Sequence, residues 1–152
     1  CNMAIQIGDK LPNFKATKQD GTAFDSHEIH EKPVVIYFYP KDFTPGCTTQ
    51  ACSFRDAYRD FQDLGAEVIG ISGDSASSHQ NFQQKYKLPF ILLSDADRKL
   101  RRLFGVPTAL FGLLPGRVTY VFDAKGYCIY IFDSMSAKNH IERALKAIQK
   151  AK

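Results

Sequence analysis

The strand-to-helix transition that decides the fold lies in residues 34–52, which read VVIYFYPKDFTPGCTTQAC. The first six residues of this stretch are apolar or aromatic throughout, which is typical of a strand covered on both faces of a sheet. Apolar residues recur at helical spacing after Cys47, so we predict a helix from about Thr48 to Leu64, ended by Gly65. The positions that carry this spacing are Phe54, Ala57, Tyr58, Phe61 and Leu64.

A second strand-like run follows this helix at Glu67 to Ser72 and completes a βαβ unit. After this unit, we predict a helix from about Ser75 to Tyr86, a short strand at Phe90 to Leu93 and a short helix at Asp97 to Phe104. The chain then predicts a hairpin of two strands, Val118 to Phe122 and Tyr127 to Phe132. A final helix is predicted to begin at about Ala137. Together with a small N-terminal β element, this order predicts an α/β fold in which helices flank a central mixed β-sheet. The same order describes a thioredoxin-like core.

The composition bounds the size and the class of the protein. With 152 residues, 44% of them hydrophobic and 24% charged, the chain can bury one core of ordinary size, so we predict a single domain over residues 1–152. The net charge of +4 is spread along the chain except for the basic run Arg98 to Arg102, which we interpret as a solvated helix face. We therefore predict no nucleic-acid partner. The longest apolar run, Val34 to Tyr39, is far shorter than the ~18 to 20 residues of a membrane helix, so we predict no membrane partner.

Cys47 lies where the chain leaves the buried strand and enters the helix. In open α/β sheets, ligands bind at the carboxyl ends of the strands, and the unpaired N–H groups and positive dipole of a helix start favour a thiolate. An isolated cysteine is more often a small buried hydrophobic residue, but Pro45 and Gly46 stiffen the approach and leave room for a small ligand. We therefore interpret Cys47 as a candidate nucleophile, and Thr44 as a hydroxyl that can donate to the thiolate or to a bound oxygen.

Cys52 follows Cys47 by five positions. In a continuous helix this spacing corresponds to a rise of ~7.5 Å and a rotation of about 500°, which leaves the two side chains roughly 140° apart. A disulfide between them therefore requires the first stretch of the helix to unwind. A core-facing position on an amphipathic helix is the alternative interpretation of Cys52, and Cys128, in the predicted hairpin, is most simply a packed residue.

The pattern of cysteines and histidines does not favour metal binding. Structural zinc sites usually need four ligands in two close pairs, and the sequence has no second cysteine pair beside Cys47 and Cys52. The histidines are scattered along the chain without ligand spacing, at His27, His30, His79 and His140. We therefore predict no metal site.

Arg117 is the candidate cation for this site. A reactive thiolate needs a nearby positive charge that stabilises it and holds the atom under attack. Arg117 directly precedes the predicted strand Val118 to Phe122, from which its guanidinium, with a fixed donor fork, could reach the ligand-binding edge of the sheet. A solvated cap at the start of the strand is the alternative interpretation.

The spacing of these residues resembles a known family. Pro40, Thr44 and Cys47 match the Pro-x-x-x-Thr-x-x-Cys pattern of the peroxiredoxins, and Cys52 matches the second cysteine of their bacterioferritin-comigratory-protein, or peroxiredoxin Q, branch. The resemblance covers essentially the whole chain, and implies a thioredoxin-like fold. It extends to residues 54–56, 68–72, 88–90, 93–95 and 116–121.

This resemblance implies a thiol peroxidase that needs no metal, haem or flavin cofactor. Cys47 would be the peroxidatic cysteine, which attacks the peroxide O–O bond and becomes a sulfenic acid. Cys52 would be the resolving cysteine, forming with it a disulfide that thioredoxin or a similar dithiol reductant reduces. Arg117 would be the active-site arginine, Thr44 the hydroxyl donor, and Pro40 a shield against solvent. The expected partners are a hydroperoxide substrate and the dithiol reductant, and the expected state is a monomer.

Two other functions stay open on the residues alone. A dithiol-exchange enzyme would use the same two cysteines, although four residues separate them where thioredoxin itself has two. A redox-regulated interaction module would instead change its affinity for a partner on oxidation, without turnover. Four cysteines are too few for a disulfide scaffold in a chain of this length, which favours a reducing compartment. We predict the cytoplasm, with the plastid stroma after removal of a transit peptide as the alternative.

Overall fold

The computed structural model describes residues 4–29, 31–106, 108–109, 114–134 and 139–151. The strands are β1 (Lys15–Lys18), β2 (Ala23–Asp25), β3 (Val34–Phe38), β4 (Glu67–Ser72), β5 (Ile91–Ser94), β6 (Thr108–Ala109), β7 (Leu114–Pro115), β8 (Val118–Phe122) and β9 (Cys128–Asp133). The helices are α1 (Pro45–Asp63), α2 (Ala76–Tyr86), α3 (Lys99–Phe104) and α4 (His140–Ala151), and a 3₁₀ turn covers Ser26–Glu28. Among these residues, no helix has both the length and the apolar character that crossing a membrane requires.

Seven of the strands form one mixed sheet in the order β2-β1-β5-β4-β3-β8-β9, and β6 pairs with β7 separately. β3, β4 and β5 run parallel, β8 is antiparallel to β3, and β9 is antiparallel to β8. The predicted central mixed sheet is thereby confirmed. The predicted N-terminal β element is the β1–β2 hairpin, and β1 joins it to the edge of the same sheet by pairing with β5.

β3 is an interior strand between β4 and β8, and its residues are all buried because both faces of the strand carry an apolar cluster. Val35 and Tyr37 belong to the cluster that contains the buried residues of α1, α2 and α4. Val34, Ile36 and Phe38 belong to the cluster that contains the buried residues of α3. This alternation is the two-residue period of a strand, and it explains why the run has no polar position.

The start of α1 differs from the predicted start. The helix begins at Pro45, three residues before the predicted Thr48. Proline is favoured at the first helical position because its φ is already helical and its missing N–H would have had no partner in the helix. Cys47 therefore lies inside the first turn of α1 and not in front of it.

Other boundaries shift by one or two residues, as α3 and β5 illustrate. α3 begins at Lys99, two residues after the predicted start, because Arg98 adopts a left-handed conformation with φ of 60°. β5 lies one residue later than predicted, since its pairing with β4 runs from Ile91 to Ser94. The predicted start of the last helix, Ala137, lies outside the described residues.

The interpretation of the basic run Arg98 to Arg102 as a solvated face is wrong for Arg101. This side chain is only 8% exposed, and its guanidinium donates from Nη2 to the carbonyl oxygen of Tyr39 at 2.8 Å and from Nη1 to that of Gly116 at 3.1 Å. Burial lowers the pKa of Arg101 to about 10, which still leaves the side chain charged at neutral pH. Arg101 therefore ties α3 to the end of β3 and to the segment that enters β8.

We expect Arg101→Met to destabilise the protein by about 2 to 3 kcal/mol, because two buried carbonyl groups lose their donors. The matched control is Arg102→Met, an exposed neighbour on the same helix, which should change the stability by less than about 0.5 kcal/mol. The free energy of unfolding from urea denaturation measures both variants. If both variants lowered the free energy of unfolding equally, the buried hydrogen bonds of Arg101 would contribute no stability beyond that of an exposed arginine.

Candidate active site

Cys47 occupies the first turn of α1 at the carboxyl end of β3, and it is only 1% exposed. The first main-chain bond at the start of the helix is donated by Thr48 N to the carbonyl oxygen of Thr44 at 2.8 Å. The main-chain N–H groups that precede Thr48 in the helix have no carbonyl oxygen within the helix to donate to. They give the start of the helix a partial positive charge. The predicted position of Cys47 at the ligand-binding edge of the sheet is observed.

Arg117 reaches the same point from the strand next to β3. It immediately precedes β8, is buried, and places Nη2 at 3.3 Å from Cys47 Sγ. A guanidinium at this distance stabilises negative charge on sulfur. The predicted reach of Arg117 into the site is therefore observed, and the alternative of a solvated cap is wrong.

Gly46 makes room for this guanidinium. A Cβ built on Gly46 would lie 3.1 Å from Arg117 Nη2, closer than ordinary packing allows. The space beside Gly46, predicted to admit a small ligand, is filled by the guanidinium of Arg117.

Gln50 is a site residue that the sequence-based argument missed. It lies one helical turn after Cys47 on the same buried face of α1, and its Oε1 accepts a hydrogen bond from Arg117 Nη1. Within the described part of the chain, its Nε2 is buried without a hydrogen-bond partner. The signal available in the sequence is a polar residue on the apolar face, three positions after the cysteine. Gln50 therefore orients Arg117, and its side-chain amide nitrogen can still donate hydrogen bonds inside the buried site.

Thr44 and Pro40 lie beside the site without contacting the sulfur through a hydrogen bond. Thr44 is the N-cap residue of α1, but its hydroxyl donates to the carbonyl oxygen of Lys41 at 2.9 Å instead of capping the helix or reaching Cys47. Pro40 is half-buried and lies two residues after the end of β3. The structure thus brings both predicted residues into the loop between β3 and α1.

The cysteines in the described part of the chain are free thiols. Cys52 is half-buried on α1, which is continuous from Pro45 to Asp63, so the two predicted redox partners lie on one intact helix. Cys128 belongs to the apolar cluster on the opposite face of the sheet from Cys47, and burial raises the pKa of its thiol to about 11. Cys1 lies outside the described residues.

Tyr37 shares the apolar cluster of Cys47. Its ring stacks on Phe54 with centroids 4.5 Å apart, and its hydroxyl is buried without a hydrogen-bond partner among the described residues. Burial raises the pKa of this hydroxyl well above its usual value, and the nearby charge of Cys47 raises it further. Tyr37 is therefore a neutral wall of the site.

His79 lacks ligand spacing in the sequence, but it lies near two carboxylates in the structure. Folding brings it to Asp42 and Asp74, and one ligand atom of each of the three lies within 4.8 Å of the others. These atoms already bond to the protein: Asp42 Oδ2 lies 2.7 Å from His79 Nδ1, and Asp74 Oδ2 accepts from Asp42 N and from Ser72 Oγ, each at 2.7 Å. The group is a hydrogen-bonded network of the loop before α1.

Comparison with known proteins places the chain in a family. The AhpC/TSA family matches residues 7–131. The chain is 54% identical over 146 residues to a chloroplastic peroxiredoxin Q of Oryza sativa subsp. japonica, covering 95% of this chain and 67% of that protein. It is 50% identical over 149 residues to a chloroplastic peroxiredoxin Q of Sedum lineare, covering 97% of this chain and 80% of that protein.

Solved structures agree with this placement. Peroxidoxin BcpB from Mycobacterium tuberculosis has 32% identity and a TM-score of 0.89, over 97% of this chain and 99% of that one. The Xanthomonas campestris bacterioferritin comigratory protein, described for its alkyl peroxide reduction activity, has 30% identity and a TM-score of 0.83, over 91% of each chain. The thioredoxin-like fold is confirmed. The chain therefore belongs to the AhpC/TSA family and is a thiol peroxidase of the peroxiredoxin Q and bacterioferritin-comigratory-protein type.

Proposed function

We propose that Cys47 is the nucleophile of this peroxidase and that Cys52 resolves its oxidised form within the same chain. The observation that carries the proposal is the 3.3 Å contact between Arg117 Nη2 and Cys47 Sγ at a helix start. A thiolate in that position is stabilised by the guanidinium and by the helix dipole. The family implies the two reactants, a peroxide and a thiol reductant.

The cycle begins with attack of the Cys47 thiolate on one oxygen of the hydroperoxide. The S–O bond forms as the O–O bond breaks, and the departing oxygen takes a proton and leaves as water or an alcohol, so Cys47 becomes a sulfenic acid. The Cys52 sulfur then attacks the Cys47 sulfur, and water leaves as the disulfide forms. Thioredoxin or a similar dithiol supplies two electrons and two protons that restore both thiols.

Formation of the disulfide requires α1 to open at its N-terminus. Five positions along an intact helix place the two side chains roughly 140° apart, so they cannot meet while the helix is continuous. The first turn of α1 has few fixing interactions, since Thr44 makes no side-chain cap bond and no acidic residue lies in that turn. The start of the helix therefore lacks two of the interactions that usually stabilise a helix N-terminus.

The other predicted residues support the site around the sulfur. Thr44 could donate its hydroxyl proton to the thiolate or to a bound oxygen after rotating away from the carbonyl of Lys41. Pro40, which has no N–H, would limit the access of water to the loop. Gln50 would hold the Arg117 fork against the reacting oxygen.

The compartment and the oligomeric state complete the proposal. The chloroplastic relatives favour the plastid stroma over the cytoplasm that we predicted first. Both cysteines of the cycle come from one chain, so a monomer suffices for catalysis.

We expect one equivalent of hydrogen peroxide to link Cys47 to Cys52 in the reduced protein. The tryptic peptide of residues 42–55 contains both cysteines, so it should lose two hydrogen atoms in mass and resist alkylation. Cys47→Ser should abolish peroxidase turnover, whereas Cys52→Ser should retain the first oxidation and lose the intramolecular disulfide. Cys128→Ala is the control, because it removes a thiol from the opposite face of the sheet.

Two outcomes would contradict the assignment of the cysteines. Full turnover by Cys47→Ser would remove Cys47 as the nucleophile. Normal thioredoxin-dependent turnover by Cys52→Ser would mean that Cys1, Cys128 or an external thiol resolves the sulfenic acid.

We expect Arg117→Lys to lower the second-order rate of Cys47 oxidation by about 10- to 100-fold, because lysine keeps the charge but loses the fork that contacts both Cys47 and Gln50. Quenched-flow mass spectrometry suits the measurement, since the chain has no tryptophan to report by fluorescence. Arg59→Lys, at an exposed position of α1, is the matched control. An unchanged rate for Arg117→Lys would show that the arginine does not act on the reacting atoms.

A further inference from the structure

A buried pair of ionisable side chains, Asp42 and His79, lies outside the residues that contact the thiol. His79 is 0% exposed on α2, its Nδ1 lies 2.7 Å from Asp42 Oδ2, and its Nε2 lies 2.9 Å from the carbonyl oxygen of Leu93 in β5. The carbonyl oxygen of Leu93 can only accept a hydrogen bond, so His79 donates to it from Nε2 and faces Asp42 with Nδ1. Asp42 also accepts hydrogen bonds from the hydroxyls of Tyr39 at 2.6 Å and Ser78 at 2.9 Å.

This pair joins the loop before the catalytic helix to the body of the protein. Asp42 lies five residues before Cys47, in the loop between β3 and α1, while His79 and Leu93 belong to α2 and β5. The main chain of the loop is held as well, since Asp42 N donates to Asp74 Oδ2 at 2.7 Å. The loop is thus fixed at one residue through both its side chain and its backbone.

The next residue, Phe43, is held in an unfavourable conformation. Its φ is 64°, in the left-handed region that a bulky side chain rarely adopts. Its ring packs edge-on against Phe82 of α2 with centroids 5.1 Å apart, although 45% of the residue is exposed. Because Phe43 stands between Asp42 and the N-cap residue Thr44, release of Asp42 would let its backbone relax and move the start of α1.

We propose that Asp42 and His79 form a latch that controls how readily the first turn of α1 unwinds. With the latch closed, the loop presents Cys47 to Arg117 for the attack on peroxide. With the latch open, the first turn separates more easily and Cys47 reaches Cys52. The two residues are positioning residues, and the catalytic consequence rests on the proposed Cys47–Cys52 disulfide.

Two substitutions of His79 separate a latch from a merely structural residue. In His79→Asn, the side-chain amide nitrogen stands near the position of Nδ1 and can still donate to Asp42. In His79→Gln, it stands near the position of Nε2 and can donate to Leu93 while the bond to Asp42 is lost. Both variants remove a buried imidazole, but only His79→Gln breaks the hydrogen bond between residue 79 and Asp42, leaving Asp42 held by Tyr39, Ser78 and Asp74 alone.

His27→Gln is the matched control. His27 Nδ1 lies 2.7 Å from Asp25 Oδ1, the same separation as in the buried pair, but the side chain is 71% exposed and follows β2 at the edge of the sheet. A general effect of breaking a histidine–aspartate pair would appear in this variant too.

Amide hydrogen exchange of the reduced protein tests the latch without using the chemistry of the cysteines. We expect exchange in residues 43–51 to be about tenfold faster, or more, in His79→Gln than in His79→Asn, with His27→Gln equal to the unmodified chain. Thermal melting of the variants gives their global stability for comparison. Equal exchange in the two His79 variants over this segment would overturn the latch.

The fate of oxidised Cys47 tests the catalytic consequence. At high hydrogen peroxide, the sulfenic acid either forms the disulfide or is oxidised further to sulfinic acid. We expect His79→Gln to form roughly fivefold less sulfinic acid than His79→Asn, and to undergo the first oxidation more slowly. If His79→Gln and His79→Asn gave the same ratio of sulfinic acid to disulfide, the latch would have no role in catalysis.

The two experiments fail in different ways. If the unmodified chain forms no Cys47–Cys52 disulfide but exchange separates the two His79 variants, the proposed cycle is wrong and the latch stands. If the disulfide forms and exchange does not separate the variants, the cycle stands and the latch is wrong.

Discussion

The contact between Arg117 and Cys47 depends on the position of β3 between β4 and β8 in the sheet. β3 pairs with β4 on one side and with β8 on the other, and its last residue, Phe38, is opposite Val118, the first residue of β8. Because β8 is antiparallel to β3, the residue that enters β8 and the loop that leaves β3 meet at one edge. Arg117 is that entering residue, and Cys47 is carried back to the same edge by the start of α1. A shift of the register by one residue would turn the side chains of β8 to the opposite faces and separate the pair.

Two buried guanidinium groups serve this edge in different ways. Arg117 points at the sulfur and is oriented by Gln50. Arg101 donates to the main-chain carbonyls of Tyr39 and Gly116, which directly precede Pro40 and Arg117. It therefore holds together the segment that follows β3 and the segment that enters β8, which position Cys47 and Arg117. Because its pKa is still about 10 after burial, this tie stays charged at neutral pH.

The sequence predicts the sheet and the position of the thiol because both depend on local patterns. The apolar run of β3, the helical spacing after Cys47 and the Pro-Gly pair before it are all visible within residues 34–64. The apolar spacing that predicts α1 does not extend to its first turn, so the helix begins three residues before the predicted Thr48, with Pro45 at a position that proline favours. The likeness of motif to a known family supplied the roles of Arg117 and Cys52, which spacing alone left open.

The rest of the site depends on contacts between residues that are distant in the sequence. Asp42 and His79 are 37 positions apart, and Arg101 bonds a carbonyl 62 positions away. The local patterns contain only weak signals for them, such as His79 and Phe82 on the buried face of α2, or Arg101 between Leu100 and Phe104 in α3. A polar residue on an apolar helix face indicates a buried partner, but the pattern does not identify that partner.

The distribution of anchors along residues 42–54 defines where the chain can open. Before the helix, Asp42 is fixed by its buried hydrogen bond with His79. After the first turn, Ala51 and Phe54 are fixed in the apolar cluster, and Gln50 is fixed by Arg117. Between these anchors the helix starts without a side-chain cap and without an acidic residue to complement its dipole. The five residues from Cys47 to Cys52 could span up to ~17 Å if extended, far more than a disulfide needs. Opening can therefore stay confined to the segment between Asp42 and the buried part of α1, while the sheet and the rest of the helix keep their positions.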